Sequence, residues 1–146
     1  MITTAEREVI KLVQRIPGKG LVSLNVYHSA CNGNWLLTYP PEVVASPTQP
    51  DSLIFAYESL AHAQALYEQY LSRTRVAVEA WRAVTTASEP FPEGILLTNR
   101  LHRWADFWQW YARREQEAFL PFDSSYSPET GTVLCRDLKL IERIGL

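Results

Sequence analysis

The chain has 146 residues, an apolar fraction of 47% and a formal net charge of −2 at pH 7. This length and composition predict one globular domain, residues 1–146, with a single core. Its arginines are scattered without a basic run or tail, which argues against a nucleic-acid-binding function. No stretch approaches the ~18 apolar residues of a membrane-spanning helix, and the charged N-terminus is unlike a secretory signal. We therefore expect a cytoplasmic protein that does not enter membranes.

The first part of the chain predicts a short helix followed by a β-hairpin. A capping-box pattern precedes apolar residues at helical spacing, which predicts a helix over Ala5–Arg15. Leu21–Ser29 alternates apolar and polar residues, as a half-buried strand does. The Asn32–Asn34 segment contains Asn-Gly, a strong hairpin-turn signal, so Trp35–Tyr39 is expected to be the partner strand.

The middle of the chain predicts two more strands and a helix. Pro40–Pro50 holds four prolines and is expected to be an ordered surface excursion. Leu53–Tyr57 is the third predicted strand, and Ser59 can cap the helix that follows it. Arg75–Thr85 is rich in β-branched and small residues, which predicts a fourth strand. Because its apolar alternation breaks near Trp81, either both faces are partly covered or a bulge shifts the register there.

The segment Thr98–Leu120 predicts one long amphipathic helix, and it holds three of the five tryptophans. Its apolar stripe includes Trp108, which is expected to be buried against the sheet. Trp110 falls nearly opposite the centre of that stripe, with Arg103 and Arg114 near it. An outward tryptophan among arginines is typical of a binding surface, since the ring offers a π face and guanidinium groups bind anions. The alternative is that a second element covers Trp110.

A last strand is predicted over Thr132–Ile141, with Leu134, Leu138 and Leu140 on its inner face. The predicted order is helix, three strands, helix, strand, long helix, strand. This order predicts a single α+β domain: a mostly antiparallel sheet of about five strands, two main helices packed on one face, and the short N-terminal helix.

Residues 20–86 resemble a loose pattern in small phage-borne and bacterial α+β proteins. The pattern joins a strand ending LLTY, a strand and helix SLIFAYES-LAHAQALY, and a strand VAVEAWRAV. The resemblance implies a β-β-β-α-β core and a phage or mobile-element origin, and it carries over no catalytic residue. Some small phage proteins of similar build sequester nucleotide-derived immune signals, so the resemblance implies an inhibitor or sequestering protein.

The sequence predicts neither a catalytic residue nor a metal site nor a cofactor. His28 and Cys31 are three residues apart, a spacing that does not place them side by side on a strand. His62 lies off the centre of its helical stripe, which indicates a solvated histidine, and His102 shares no ligand spacing with the other two. Cys31 and Cys135 are expected to be reduced thiols, although they could pair if the fold brought them together.

The strongest functional signal is a set of aromatic and arginine side chains. Such residues recognise planar, phosphorylated ligands and also dominate protein interfaces. We expect a non-enzymatic, homo-oligomeric protein that binds a partner protein or an anionic nucleotide-like small molecule. The alternative is a small enzyme acting on a nucleotide-like substrate. The predicted binding residues are Tyr27, Trp81, Arg82, Arg103, Trp110 and Arg114.

Overall fold

The computed structural model describes residues 2, 4–24, 37–49, 51–68, 72, 77–91, 108–109, 111–112 and 131–146. These residues form eight strands and one short helix. In chain order they are β1 Arg7–Ile16, β2 Gly20–Ser23, β3 Val44–Ala45, β4 Ile54–Tyr57, α1 Leu60–Leu66, β5 Val78–Thr85, β6 Ser88–Pro90, β7 Thr132–Cys135 and β8 Leu138–Ile144.

The α+β prediction is wrong, because the described part of the chain is mostly an antiparallel sheet of eight strands with only one short helix. The largest error is at the N-terminus, where the predicted helix over Ala5–Arg15 is strand β1. The last strand was also misjudged, since the segment predicted as Thr132–Ile141 forms two strands, β7 and β8.

Strand β1 lies at the centre of the sheet. It pairs antiparallel with β5 along Arg7–Gln14, with β4 at Ile10, and with β2 along Val13–Ile16. Six consecutive residues of β1 are buried, so both of its faces are covered. A strand covered on both faces gains more from β-branched side chains, such as Val9 and Ile10, than a helix would.

The sheet curves at two places where one strand leads through a two-residue bend into the next. Strand β5 leads through Thr86 and Ala87 into β6, and β7 leads through Arg136 and Asp137 into β8. The two bends are joined by a hydrogen bond from Arg136 N to Ala87 O, 2.9 Å. The paired strands follow the open order β3-β8-β5-β1-β4-β7-β6, but the chain itself joins β5 to β6, so β5, β1, β4, β7 and β6 surround one common face. The sheet therefore curves around one of its own faces, which we call the inner face.

Two apolar clusters lie on opposite sides of β1. The inner-face cluster contains Val9 and Val13 of β1, packed with apolar residues of β2, β4, β5, β7 and β8. The outer-face cluster contains Ile10 and Leu12, and helix α1 covers it with Ala63 and Leu66. The alternation of side chains along β1 explains this division, since neighbouring residues of a strand point to opposite faces.

Several local predictions are confirmed. Strands β4 and β5 lie within the predicted strand segments, and β2 overlaps the predicted strand Leu21–Ser29 but begins one residue earlier, at Gly20. Ser59 caps α1, because its side chain accepts a hydrogen bond from the backbone N–H of His62. The pairing of β5 with β8 shifts register between Arg82 and Ala83, which was one of the two alternatives for this segment, and the other also holds, since Ala80 and Trp81 are buried on opposite faces of β5. Since Arg82 pairs with Glu142 and Ala83 with Leu140, the extra residue of this bulge belongs to β8.

Part of the predicted long helix is described, and it agrees with the predicted apolar stripe at Trp108 and Tyr111 but not at Ala112. Trp108, Gln109, Tyr111 and Ala112 have a helical backbone. Trp108 is buried, as predicted, and its ring lies 5.8 Å, centroid to centroid, from that of Phe55 of β4, at an interplanar angle of 51°. Tyr111 is also buried, whereas Gln109 and Ala112 are exposed. The rest of Thr98–Leu120 lies outside the described residues. Within the described part of the chain, no helix is long and apolar enough to cross a membrane.

Candidate functional site

The two described members of the predicted binding set lie on opposite faces of β5. Trp81 belongs to the inner-face cluster and is 9% exposed. Arg82, the next residue, lies opposite Ile10 of β1 and therefore points to the outer face. The structure does not bring these two side chains together, because consecutive residues of a strand cannot share a face.

Trp81 is part of a charged group that the sequence analysis did not predict. Its indole Nε1–H donates a hydrogen bond to Glu79 Oε1 at 3.1 Å. Arg15 donates to the same carboxylate through Nε, 2.5 Å from Oε2, and through Nη2, 3.1 Å from Oε1. Arg143 Nε lies 3.6 Å from Oε1. We call Arg15, Glu79, Trp81 and Arg143 the Glu79 cluster.

Three neighbouring strands assemble this cluster. In the pairing of β1 with β5, Glu79 lies opposite Val13, two residues before Arg15. In the pairing of β5 with β8, Trp81 lies opposite Arg143. Because directly paired residues project to the same side of a sheet, all four members of the cluster lie on the inner face.

The electrostatics of the cluster leave an excess of positive charge. The Glu79 carboxyl is only 5% exposed, while the arginine side chains are 51% exposed at Arg15 and 63% at Arg143. The hydrogen bond from Arg15 is the main cause that lowers the pKa of Glu79, and burial opposes it. The same hydrogen bond raises the pKa of Arg15. One anion is therefore shared by two cations, and both guanidinium groups face solvent with N–H donors that the carboxylate does not use.

Arg82 has the opposite charge balance. Its Nη1 lies 3.3 Å from Glu8 Oε2 and its Nη2 lies 3.5 Å from Glu142 Oε2. Two exposed carboxylates therefore surround one guanidinium on the outer face. This arrangement satisfies Arg82 without a ligand, so Arg82 is a poorer anion-binding residue than Arg15 or Arg143.

A second ionisable group, Lys11, is buried on the inner face beside the cluster. It is 7% exposed, and its Nζ donates to the Phe55 carbonyl at 2.6 Å. The ring of Tyr39 lies 5.4 Å from the amine, measured to its centroid. Burial lowers the pKa of Lys11 to about 8. Burial also raises the pKa of the free thiol of Cys135 to about 11, and it raises that of Tyr39 further above its ordinary value.

The strand pairing around Phe55 explains how the buried amine of Lys11 finds a hydrogen-bond acceptor. The backbone N–H of Glu58 donates to the carbonyl of Gly131 beside β7, so the backbone polar groups of Glu58 point towards β7. Since backbone groups alternate along a strand, the Phe55 carbonyl points towards β1. At that point β1 changes its neighbour from β4, paired at Ile10, to β2, paired from Val13. The Lys11 amine therefore donates to a carbonyl that projects into the fork between two strands.

The remaining predicted site residues, Tyr27, Arg103, Trp110 and Arg114, lie outside the described residues, and their binding role stays a prediction. His28, Cys31 and His102 also lie outside them. Across the part of the chain that the structure describes, no three His, Cys, Asp or Glu side chains form a group that could hold a metal ion.

The sequence contained a partial signal for the Glu79 cluster. Glu79 and Trp81 are two residues apart in a predicted strand, a spacing that places two side chains on one face. Arg15 was assigned to a helix, and Arg143 lies beyond the end of the predicted last strand. Neither arginine could be placed beside Glu79 without the pairing of β1, β5 and β8.

Comparison with known proteins identifies no relative. No family model, no curated protein and no solved structure matches the chain.

Proposed function

We propose that this is a cytoplasmic protein that binds an anionic, nucleotide-like small molecule, without changing it chemically, through an aromatic–arginine surface centred on the Glu79 cluster. The observation that carries the proposal is the pair of half-exposed guanidinium groups held on one buried carboxylate. Glu79 fixes both groups in place, and the cluster keeps one net positive charge.

Preorganised guanidinium groups suit phosphate and carboxylate ligands. A guanidinium presents five N–H donors in a planar fork, which matches the oxygens of these anions. Arg15 uses its Nε and Nη2 on Glu79, so its Nη1 is directed elsewhere. Arg143 approaches the carboxylate through Nε, which leaves both of its terminal nitrogens for a ligand. Because Glu79 already restrains these side chains, a ligand loses less conformational entropy on binding them.

The predicted residues of the long helix form a second part of the proposal, separate from the Glu79 cluster, because Trp108 of that helix contacts Phe55, whose neighbours Ile54 and Ala56 belong to the inner-face cluster. Trp110, Arg103 and Arg114 would supply a stacking ring and further cations. We also propose that the protein forms a homo-oligomer, since a small domain rich in aromatic residues leaves apolar surface that a second copy can cover. An oligomer larger than 16.7 kDa in light scattering at micromolar concentration would support this part of the proposal, and a monomer would contradict it.

Calorimetric titration with ATP and with adenosine tests the proposal, because the two probes differ in their phosphates. We expect ATP to bind, adenosine to bind at least about tenfold more weakly, and added salt to weaken the binding of ATP. Arg143→Ala should weaken ATP binding by about tenfold or more, since a charge-assisted hydrogen bond is worth ~1.5–3 kcal/mol.

The matched control is Arg82→Ala, which also removes one arginine from the same sheet but on the outer face. Its affinity for ATP should stay within about twofold of the parent value. If both arginine variants bind ATP equally well, the Glu79 cluster is not the binding site. If ATP fails to bind but a glutamate-rich peptide binds in an Arg143-dependent way, the ligand is an acidic protein segment. Failure of both probes would overturn the proposal.

A further inference from the structure

A second group of reactive side chains lies where β4 leads into α1. Ser59 Oγ lies 2.6 Å from Nδ1 of His62. The other ring nitrogen of His62, Nε2, lies 4.0 Å from Glu58 Oε1. A hydroxyl, an imidazole and a carboxylate thus follow one another within five residues of sequence. Helix α1 covers the outer face of the sheet, so this group is separate from the Glu79 cluster.

The hydrogen bonds of Ser59 are consistent with a hydroxyl that donates its proton to the ring. Ser59 Oγ accepts from His62 N at 3.3 Å, which uses one of its lone pairs. Its own O–H can then be donated to Nδ1. The carboxylate of Glu58 favours a proton on Nε2, which leaves Nδ1 as the acceptor. This is the tautomer in which an imidazole can take a proton from a serine.

Gly131 makes room for the imidazole. A Cβ atom built on Gly131 would lie 2.4 Å from Cδ2 and 2.8 Å from Nδ1 of His62. Gly131 also has a φ of +88°, which side-chain-bearing residues rarely adopt. Its carbonyl accepts from Glu58 N at 2.9 Å, which holds the carboxylate-bearing residue beside it. The ring of His62 is therefore packed on one side by backbone, while the side chain remains 35% exposed.

We propose that Ser59 is a nucleophile that accepts an acyl or phosphonyl group from an activated ester, with His62 as its general base. In this step Oγ forms a bond to the acyl carbon while the hydroxyl proton moves to Nδ1. Loss of the alcohol breaks the ester C–O bond, and the departing oxygen takes the proton from His62. The products are acyl-Ser59 and the free alcohol, and Glu58 stabilises the transient imidazolium.

The experiment is to label the full-length protein with a fluorophosphonate, and to locate the adduct by peptide mass spectrometry. We expect Ser59 to carry the label. Ser52 is the matched control because it is a described, partly exposed serine whose hydroxyl donates to the Gln49 carbonyl at 2.7 Å and not to a base. We expect Ser52 to react at least about 100-fold more slowly, since a positioned general base contributes roughly 10²–10⁴ in rate.

Two variants separate nucleophile activation from helix capping. His62→Gln removes the base but keeps a residue that suits the third helical position of a capping box. It should fold normally and lose labelling by about 100-fold. Ser59→Asn keeps a good cap and should abolish the adduct. If Ser59 is not labelled, or if His62→Gln labels at the parent rate, Ser59 and His62 serve only to cap α1.

Discussion

Lys11 and Glu79 are both buried on the inner face, within two residues of each other along the pairing of β1 with β5, yet their surroundings differ. Glu79 is bound by two guanidinium groups and an indole N–H. Lys11 meets a carbonyl, a tyrosine ring and a thiol, all of them uncharged at neutral pH. The pKa of the Glu79 carboxyl is lowered, which favours its charged form, whereas the lowered pKa of Lys11 favours its neutral form.

The comparison shows that burial alone does not decide the state of an ionisable group. Burial opposes the charged form of both residues, but only Glu79 has an opposite charge within hydrogen-bonding distance, that of Arg15. Its pKa falls even though burial would raise it. The pKa of Lys11 falls because of burial itself. Glu79 therefore organises a site, whereas Lys11 makes the stability of the fold sensitive to pH.

The largest effect is expected from Glu79→Ala. This change leaves the buried indole N–H of Trp81 without its acceptor and leaves Arg15 and Arg143 without their shared anion. Because the two arginines can turn into water, we expect a loss of about 3 kcal/mol in the free energy of unfolding, near the lower end for breaking a buried ion pair. Urea denaturation measures this loss.

Glu142→Ala is the control for that experiment, since Glu142 is 59% exposed and contacts only Arg82 within the described ion pairs. It should cost less than about 1 kcal/mol. Equal losses of free energy for the two variants would show that the Glu79 cluster is no more stabilising than a surface ion pair.

The second prediction concerns pH and rests on Lys11. Between pH 8 and its ordinary pKa of 10.5, the unfolded chain binds a proton on Lys11 that the folded protein does not. Stability therefore rises with pH in this range. Cys135 acts in the opposite sense between its ordinary pKa of 9.0 and about 11, where only the folded protein keeps the proton. We expect a rise of about 1 kcal/mol from pH 7 to 9 and no further rise above pH 9.

Lys11→Met tests the origin of this rise. Methionine keeps the length and the apolar stem but does not titrate, so the rise between pH 7 and 9 should disappear. The hydrogen bond to the Phe55 carbonyl is also lost, at a cost of about 1 kcal/mol, and this cost should not vary with pH. A variant that retained the parent's pH dependence would assign the effect to another group.

Two buried polar residues of β1 show why sequence reasoning failed at the N-terminus. Lys11 and Gln14 are buried polar residues of β1, at 7% and 8% exposure. They occupy positions that a polar residue normally takes on the exposed side of a helix, so the remaining apolar residues appeared at helical spacing. A central strand covered on both faces has no two-residue polarity pattern to detect.

Strand β5 was easier to predict than β1, although both of its faces are partly covered. In β5, the alternation that sequence reasoning detected agrees with the structure, and Ala83 lies on the inner face as Trp81 does. The interruption of the apolar pattern at Arg82 follows from these two partly covered faces, since the extra residue of the bulge lies in β8 and leaves the alternation of β5 unbroken. What sequence reasoning could not supply was the pairing order of the strands. Arg15 and Arg143 are 128 positions apart in the chain, and only the positions of β1 and β8 on either side of β5 bring them to Glu79.

The smallest effect on stability is expected from the two arginines that face solvent. Arg143→Ala removes one of two cations from Glu79 and leaves the hydrogen bonds of Arg15 in place, so the free energy of unfolding should fall by less than about 1 kcal/mol. Arg82→Ala should cost a similar amount, because its ion pairs are also exposed.

The two variants should differ in salt response, as measured by urea denaturation at low and high ionic strength. Removing Arg82 leaves Glu8 and Glu142 to repel each other, so added salt should stabilise that variant relative to the parent. Removing Arg143 relieves an excess of positive charge, so salt should give that variant no such gain. The same response in both variants would show that the two faces of the sheet do not differ in charge balance as their contacts indicate.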